Sequence, residues 1–241
     1  MNIKDNLSYV NQKIAEAVRR RREFFGRGGS DECAAGYDVM VVAASKYVGA
    51  QAIIDAWDAG VRVFGENKIQ DLKTKHEYIK NHRPDILKDI KFHVIGHLQT
   101  NKTRDAVACA TMIQSVDSIK LAHKLNEQCE KAGKKMEVLI EIKTSEEESK
   151  TGIRPEEAME LASAVNGCGA LVLAGVMTMA LFDGTADEIR ACFDKAYSFF
   201  KVLKDKYGPG CKYLSMGMSE DFELAIERGA NIIRPGRILF K

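Results

Sequence analysis

Eight short apolar runs, each separated from the next by a stretch of helix-compatible sequence, constrain this chain more than any other feature. The runs are Asp38 to Ser45, Val61 to Gly65, Phe92 to Gly96, Met112 to Val116, Glu137 to Ile142, Leu171 to Met177, Lys212 to Met216 and Asn231 to Arg234. Short, near-continuous, β-branched runs of this kind read as strands buried on both faces. Between them, Gln51 to Ala59, Ile69 to Asn81, Asn101 to Ala108, Ser118 to Ala132, Pro155 to Asn166, Ala186 to Tyr207 and Glu220 to Arg228 have helical composition, with Pro155 placed for a first turn. Strand and helix alternating over 241 residues predict an α/β fold, a single (β/α)8 TIM-type barrel domain spanning residues 1–241. An open doubly wound sheet is the alternative. No G-x-G-x-x-G follows the first strand and no P-loop motif occurs, which lowers the nucleotide-binding readings without excluding an open sheet.

An extra N-terminal helix precedes the repeat. Leu7, Val10, Ile14 and Ala17/Val18 recur at helical spacing, predicting an amphipathic helix from about residue 5 to 25 packed over the barrel. Arg19 to Arg22 fall near its C-terminal end, where cations complement the helix dipole. Gly26 to Ser30 then break it, and a loop runs to Gly36.

Charge excludes some functions. With 36 basic and 34 acidic residues, the net charge of +2 gives no footprint for nucleic acid or membrane, so small molecules are the expected partners. Six scattered cysteines without a Cys-x-x-Cys pair read as reduced thiols. No signal peptide or membrane-length apolar run is present, and the expected location is cytoplasmic. His93 and His97 would lie roughly 13 Å apart on one strand, too far to share a metal.

In a barrel, chemistry collects at the C-terminal ends of the strands. Here those ends carry Lys46; Glu66 and Asn67; His97; Ser115 and Asp117; Lys143; Met177 to Met179; Ser215 to Ser219; and Arg234 to Arg237. Lys46 stands out. An ammonium closing a buried strand is costly, and burial would favour the neutral amine that condenses with an aldehyde; the bland alternative is a lysine reaching out to solvent. Ser215 and Gly217 lead into Ser219-Glu-Asp-Phe222, a helix start suited to an anion. Gly236 would let backbone approach a ligand, with Arg237 adding a forked donor. Arg234 shares its face and points into the mouth, or pairs with a carboxylate such as Glu66. His97 is a mouth residue or a strand-end donor. Met177, Met179, Met216 and Met218 read as packing, and Ser145 to Lys150 as a solvated loop.

Together the segments Ala43-Ala-Ser-Lys46, Phe64-Gly-Glu-Asn-Lys-Ile-Gln70, His93-Val-Ile-Gly-His-Leu-Gln-Thr-Asn-Lys102, Gln114-Ser-Val-Asp117, Lys150-Thr-Gly-Ile153, Gly175-Val-Met-Thr-Met179, Leu214-Ser-Met-Gly-Met-Ser-Glu-Asp221 and Ile233-Arg-Pro-Gly-Arg237 resemble, in order, the pyridoxal phosphate homeostasis family. The resemblance implies a barrel like the N-terminal domain of alanine racemase. It also implies pyridoxal 5′-phosphate (PLP) on Lys46 as an internal aldimine, Ser215, Gly236 and Arg237 on its phosphate, and Arg234 facing the pyridine nitrogen. Asn67, His97 and Gly217 complete the expected cofactor-binding set. An arginine beside that nitrogen weakens the ring as an electron sink. The chain departs from the family in having Arg237 where threonine is usual, and it ends at Lys241 without the second domain that gives alanine racemase its opposing tyrosine. The expected function is PLP binding and homeostasis by a monomeric carrier, without robust turnover, whose partners are PLP and apo PLP-dependent enzymes. A PLP-dependent racemase or decarboxylase using Lys46 as base is the main rival. A barrel enzyme forming a Schiff base with a phosphorylated substrate is another.

Overall fold

The structure, a computed structural model, describes residues 2–25, 37–145, 147 and 151–241. The expected loop from Gly26 to Gly36, Cys33 within it, Lys150 and most of the Ser145 to Lys150 run lie outside the described residues. Eight strands, β1 (Met40–Ala44), β2 (Val63–Glu66), β3 (Lys91–Val94), β4 (Met112–Val116), β5 (Met136–Glu141), β6 (Leu171–Met177), β7 (Tyr213–Ser215) and β8 (Ile232–Ile233), pair in parallel and sequential order. β8 returns to β1 through Met40 opposite Ile232 and Val41 opposite Ile233, closing the ring. Closure decides against the open sheet. The helices are α1 (Ile3–Phe25), α2 (Ala50–Asp58), α3 (Ile69–His82), α4 (Thr103–Cys109), α5 (Ile119–Lys131), α6 (Pro155–Asn166), α7 (Ala186–Tyr207), α8 (Phe222–Glu227) and α9 (Arg237–Phe240).

Alternation along each strand divides the apolar residues between two cores. Val42, Val63, Ile95, Met112, Leu139, Ala174, Met177 and Ile232 fill the barrel interior. Ala43, Phe64, Phe92, Val94, Ile113, Val138, Ile140 and Leu214 face the helices instead. Ala174 and Met177 both point inward although three positions apart, because the register shifts at β5–β6. Gly175 makes the shift possible: its φ is 146°, and a Cβ there would lie 1.8 Å from the Tyr213 carbonyl oxygen. Only glycine fits.

Three boundaries differ from the sequence pattern, and each has a local cause. β1 stops at Ala44 because the chain turns at once, the Val48 N–H donating to the Ser45 carbonyl. α8 starts at Phe222 with Asp221 as its N-cap residue, so Ser219 is not the cap; its hydroxyl accepts from other backbone groups described below. α9 was not legible at all and begins directly after Gly236. The N-terminal helix uses its basic run for packing. Arg20 pairs with Glu223 and Glu227 of α8, and buried Arg21 stacks its guanidinium 4.7 Å from the Tyr37 ring centroid.

Candidate functional site

Arg234 forms the centre of the barrel mouth. It continues the inward face of β8 two residues beyond Ile232, and it is almost completely buried. Its guanidinium donates to the Ser215 hydroxyl at 2.7 Å and to the Thr178 carbonyl at 2.8 Å. Ser215 in turn donates to Gln114 Oε1 at 2.6 Å, and the Gln114 amide meets His93 Nδ1 at 2.9 Å. Burial lowers the Arg234 pKa to about 10, against support from Asp221 and Glu141, so it remains cationic at neutral pH. Burial, with Lys91 nearby, pushes His93 down to about 3, and it is neutral. The sequence alternative of an Arg234–Glu66 pair is overturned. Glu66 points to the helix layer, where its Oε1 accepts from Lys75 at 2.6 Å and from the Ser45 hydroxyl at 2.5 Å.

Beside this chain lies a backbone cradle. Gly236 N–H and Ile238 N–H both donate to the Ser219 hydroxyl, at 3.1 and 3.4 Å, so two main-chain donors converge on one acceptor point. A Cβ on Gly236 would meet the Ala44 carbonyl oxygen at 3.0 Å and the Ala44 Cβ at 3.3 Å. The cradle therefore abuts the end of β1. Gly217, with φ of 92°, turns the chain back so that its carbonyl accepts from Arg234 N–H at 2.8 Å. Arg237 is exposed and donates to Glu220 at 2.7 Å, so its side chain lies at the rim. The Ser215 proton is committed to Gln114, leaving that hydroxyl no donor for an anion in this arrangement.

Lys46 lies in the turn after β1 and is half-buried, between the two sequence alternatives of an amine sealed in a strand end and a lysine reaching out to solvent. Its ammonium sits 5.1 Å from the ring centroid of exposed Tyr47, beside a cavity lined also by Asp71, Thr74, Lys75 and Tyr78. Lys75 fixes the root of this turn from behind, donating to the Ser45 carbonyl at 2.8 Å. Lys46 thus combines a fixed root with the flexible four-carbon stem of a lysine.

The opposite side of the mouth is acidic. His97 Nδ1 lies 2.9 Å from Asp117 Oδ2, with the histidine side chain 53% exposed and the aspartate 15%. Asn67 stands at the rim against Gly96, where a Cβ would come within 2.7 Å of the Asn67 Cα. Glu141 closes β5 and is buried, with Oε1 accepting from the Thr151 hydroxyl at 2.5 Å. Its pKa is raised, first by burial.

The alanine racemase N-terminal domain family matches residues 32–241. Curated relatives named "Pyridoxal phosphate homeostasis protein" include one from Helicobacter pylori (strain ATCC 700392 / 26695), 39% identical over 84% of this chain and 87% of its own length. The one from Aquifex aeolicus (strain VF5) is 34% identical over 100% of this chain and 98% of its own. The chain belongs to the pyridoxal phosphate homeostasis family. The solved structure of PipY of Synechococcus elongatus PCC7942 with PLP bound superposes with a TM-score of 0.79 at 29% identity, covering 100% of both chains. Alanine racemase of Clostridium difficile 630 shares the fold at 15% identity and a TM-score of 0.68, over 95% of this chain and 56% of that one.

In this member of the pyridoxal phosphate homeostasis family, Arg234, Gly217, Gly236 and Ser215 lie together on the β7 and β8 side of the mouth. Sequence reasoning missed Gln114, Thr178 and Thr151 as partners, and Lys75 as the brace behind Lys46. The one available signal was a polar residue inside an apolar run, which Gln114 and Glu141 both are.

Proposed function

We propose that the chain binds PLP in the barrel mouth and holds it through Lys46, acting in the cytoplasm as a carrier of the cofactor for apo PLP-dependent enzymes. The observation that carries this reading is the adjacency of a primary amine to an anion cradle, since Gly236 packs on Ala44, two residues before Lys46. The residues fit the group. A phosphate oxygen would take the place where Gly236 and Ile238 N–H now converge on Ser219, whose hydroxyl would add a third donor in the role the sequence gave to Ser215. Asn67 and His97 would border the ring. PLP supplies an aldehyde that condenses with a primary amine. Lys46 provides that amine, and Arg234, which has no lone pair to accept a proton, would turn an N–H not spent on Ser215 or Thr178 toward the ring nitrogen and hold it unprotonated.

Mixing the protein with PLP and recording spectra before and after borohydride tests the assignment. The native chain is expected to give a reducible chromophore and Lys46→Ala none. Retention of the same chromophore by the variant would end the reading. A second reading, a PLP-dependent racemase or decarboxylase, is favoured by one observation: the His97–Asp117 pair places an acid/base group at the mouth. Solvent deuterium entering an amino acid α-carbon at ordinary enzymatic rates would select it over the carrier.

A further inference from the structure

Glu141 has no role in the proposed carrier, and its surroundings are those of a ligand group. It lies two positions beyond Leu139, whose side chain is inside the barrel, so it faces the mouth. It is 1% exposed, its Oε1 is bound to Thr151, and its Oε2 is buried with no hydrogen-bond partner among the described residues. A buried carboxylate oxygen without a hydrogen-bond partner is uncommon in folded proteins. The charged groups that act on it are Asp117, Arg234 and His97, all at the mouth. The mouth therefore has an anion-binding side on β7 and β8 and an acidic side on β4 and β5, with Glu141 presenting an acceptor to whatever enters.

We propose that Glu141 Oε2 accepts a hydrogen bond from a protonated amine in the mouth, so that the site takes the 4′-amine form of the vitamin B6 phosphates as well as the aldehyde. The inference rests on the PLP reading of the same site. An amine at that carbon cannot condense with Lys46 and is repelled by its ammonium, so the amine form would seat with its 4′-carbon turned away from β1 toward β5, where the acidic side is its electrostatic partner. An eight-stranded barrel is narrow enough for one small ligand to reach both sides.

The test measures binding of pyridoxamine 5′-phosphate and pyridoxine 5′-phosphate, which differ in amine against hydroxyl, by calorimetry on the native chain, Glu141→Gln and Thr151→Val. The native chain is expected to prefer the amine by about tenfold, a charge-assisted hydrogen bond in a buried site. Glu141→Gln should remove the preference while changing the affinity for the alcohol by less than about threefold, and Thr151→Val, which leaves Oε2 in place, should keep it. Equal binding of the two by the native chain, no binding of either, or equal weakening of both by Glu141→Gln would overturn the proposal. If Glu141→Gln does not fold, the preference of the native chain and of Thr151→Val decides. Borohydride trapping of PLP, run alongside, reports on Lys46 separately: loss of trapping with the amine preference intact would fail the carrier reading alone.

Discussion

Arg234 and Lys46 are the two cations expected to meet the cofactor, and the fold treats them in opposite ways. Arg234 is sealed in the barrel with its guanidinium tied to Ser215 and Thr178, and that chain runs on through Gln114 to His93. Lys46 stands in a turn, half-buried, with only its root braced by Lys75. A group that must hold one electrostatic environment is preorganised, whereas a group that must catch and release a ligand keeps its side-chain freedom. The difference follows from position: Arg234 extends a strand that is hydrogen-bonded on both sides, and Lys46 lies beyond the end of one.

The largest expected effect breaks the brace. Lys75→Met leaves the Glu66 carboxylate buried beside Ser45 without its cation, and should cost about 3–5 kcal/mol in chemical denaturation at neutral pH. Burial already raises the Glu66 pKa above its ordinary 4.5, and losing Lys75 raises it further. Above that ordinary value the folded form retains a proton that the unfolded form has lost, so the variant's deficit should be smallest below about pH 4.5 and grow as pH rises. A deficit independent of pH would show that Glu66 is not the buried charge.

Arg234→Leu strips a donor from Ser215 and another from the Thr178 carbonyl, and should cost about 2–4 kcal/mol by the same measurement. Lys46 should still capture PLP, because its amine does not depend on that network. Equal loss of capture and stability would mean the two ends are one unit.

The third effect is visible only in acid. His93 is held neutral down to about pH 3, whereas the unfolded chain protonates near 6.5, so its contribution is complete above 6.5 and is lost as pH falls toward 3. His93→Gln should flatten the stability profile between about pH 3 and about pH 6.5. A profile as steep as the native one would remove His93 from the account.

The smallest effects sit at the cradle's edge. Gly236→Ala crowds the Ala44 carbonyl at 3.0 Å and should weaken PLP binding several-fold with little change in melting temperature. Arg237→Thr removes only an exposed pair with Glu220 and should leave stability within about 0.5 kcal/mol.

The barrel itself was legible because eight strands buried on both faces leave few other closures. The strand-end rule likewise brought Arg234, Gly236 and Gly217 to one mouth. Partner choice was not legible. Whether Arg234 meets Glu66 depends on which face of β2 that glutamate takes, and a period of two puts Phe64 and Glu66 outward together while Gly65 and Asn67 turn in. The sequence left the depth of Lys46 open because nothing in the apolar run shows that the chain turns directly after Ala44, the Val48 N–H donating to the Ser45 carbonyl that Lys75 also holds. The sequence offered Ser219-Glu-Asp-Phe222 as a helix start suited to an anion, but not that the Ser219 hydroxyl accepts from the Gly236 and Ile238 N–H groups across the loop.

A crystal structure of the native chain soaked with PLP would test the central claim most directly. It should show continuous density from Lys46 Nζ to the cofactor, with the phosphate on the Gly236 and Ile238 N–H groups and the lysine no longer over Tyr47. Cofactor bound elsewhere, or in the mouth with Lys46 still resting on Tyr47, would contradict it.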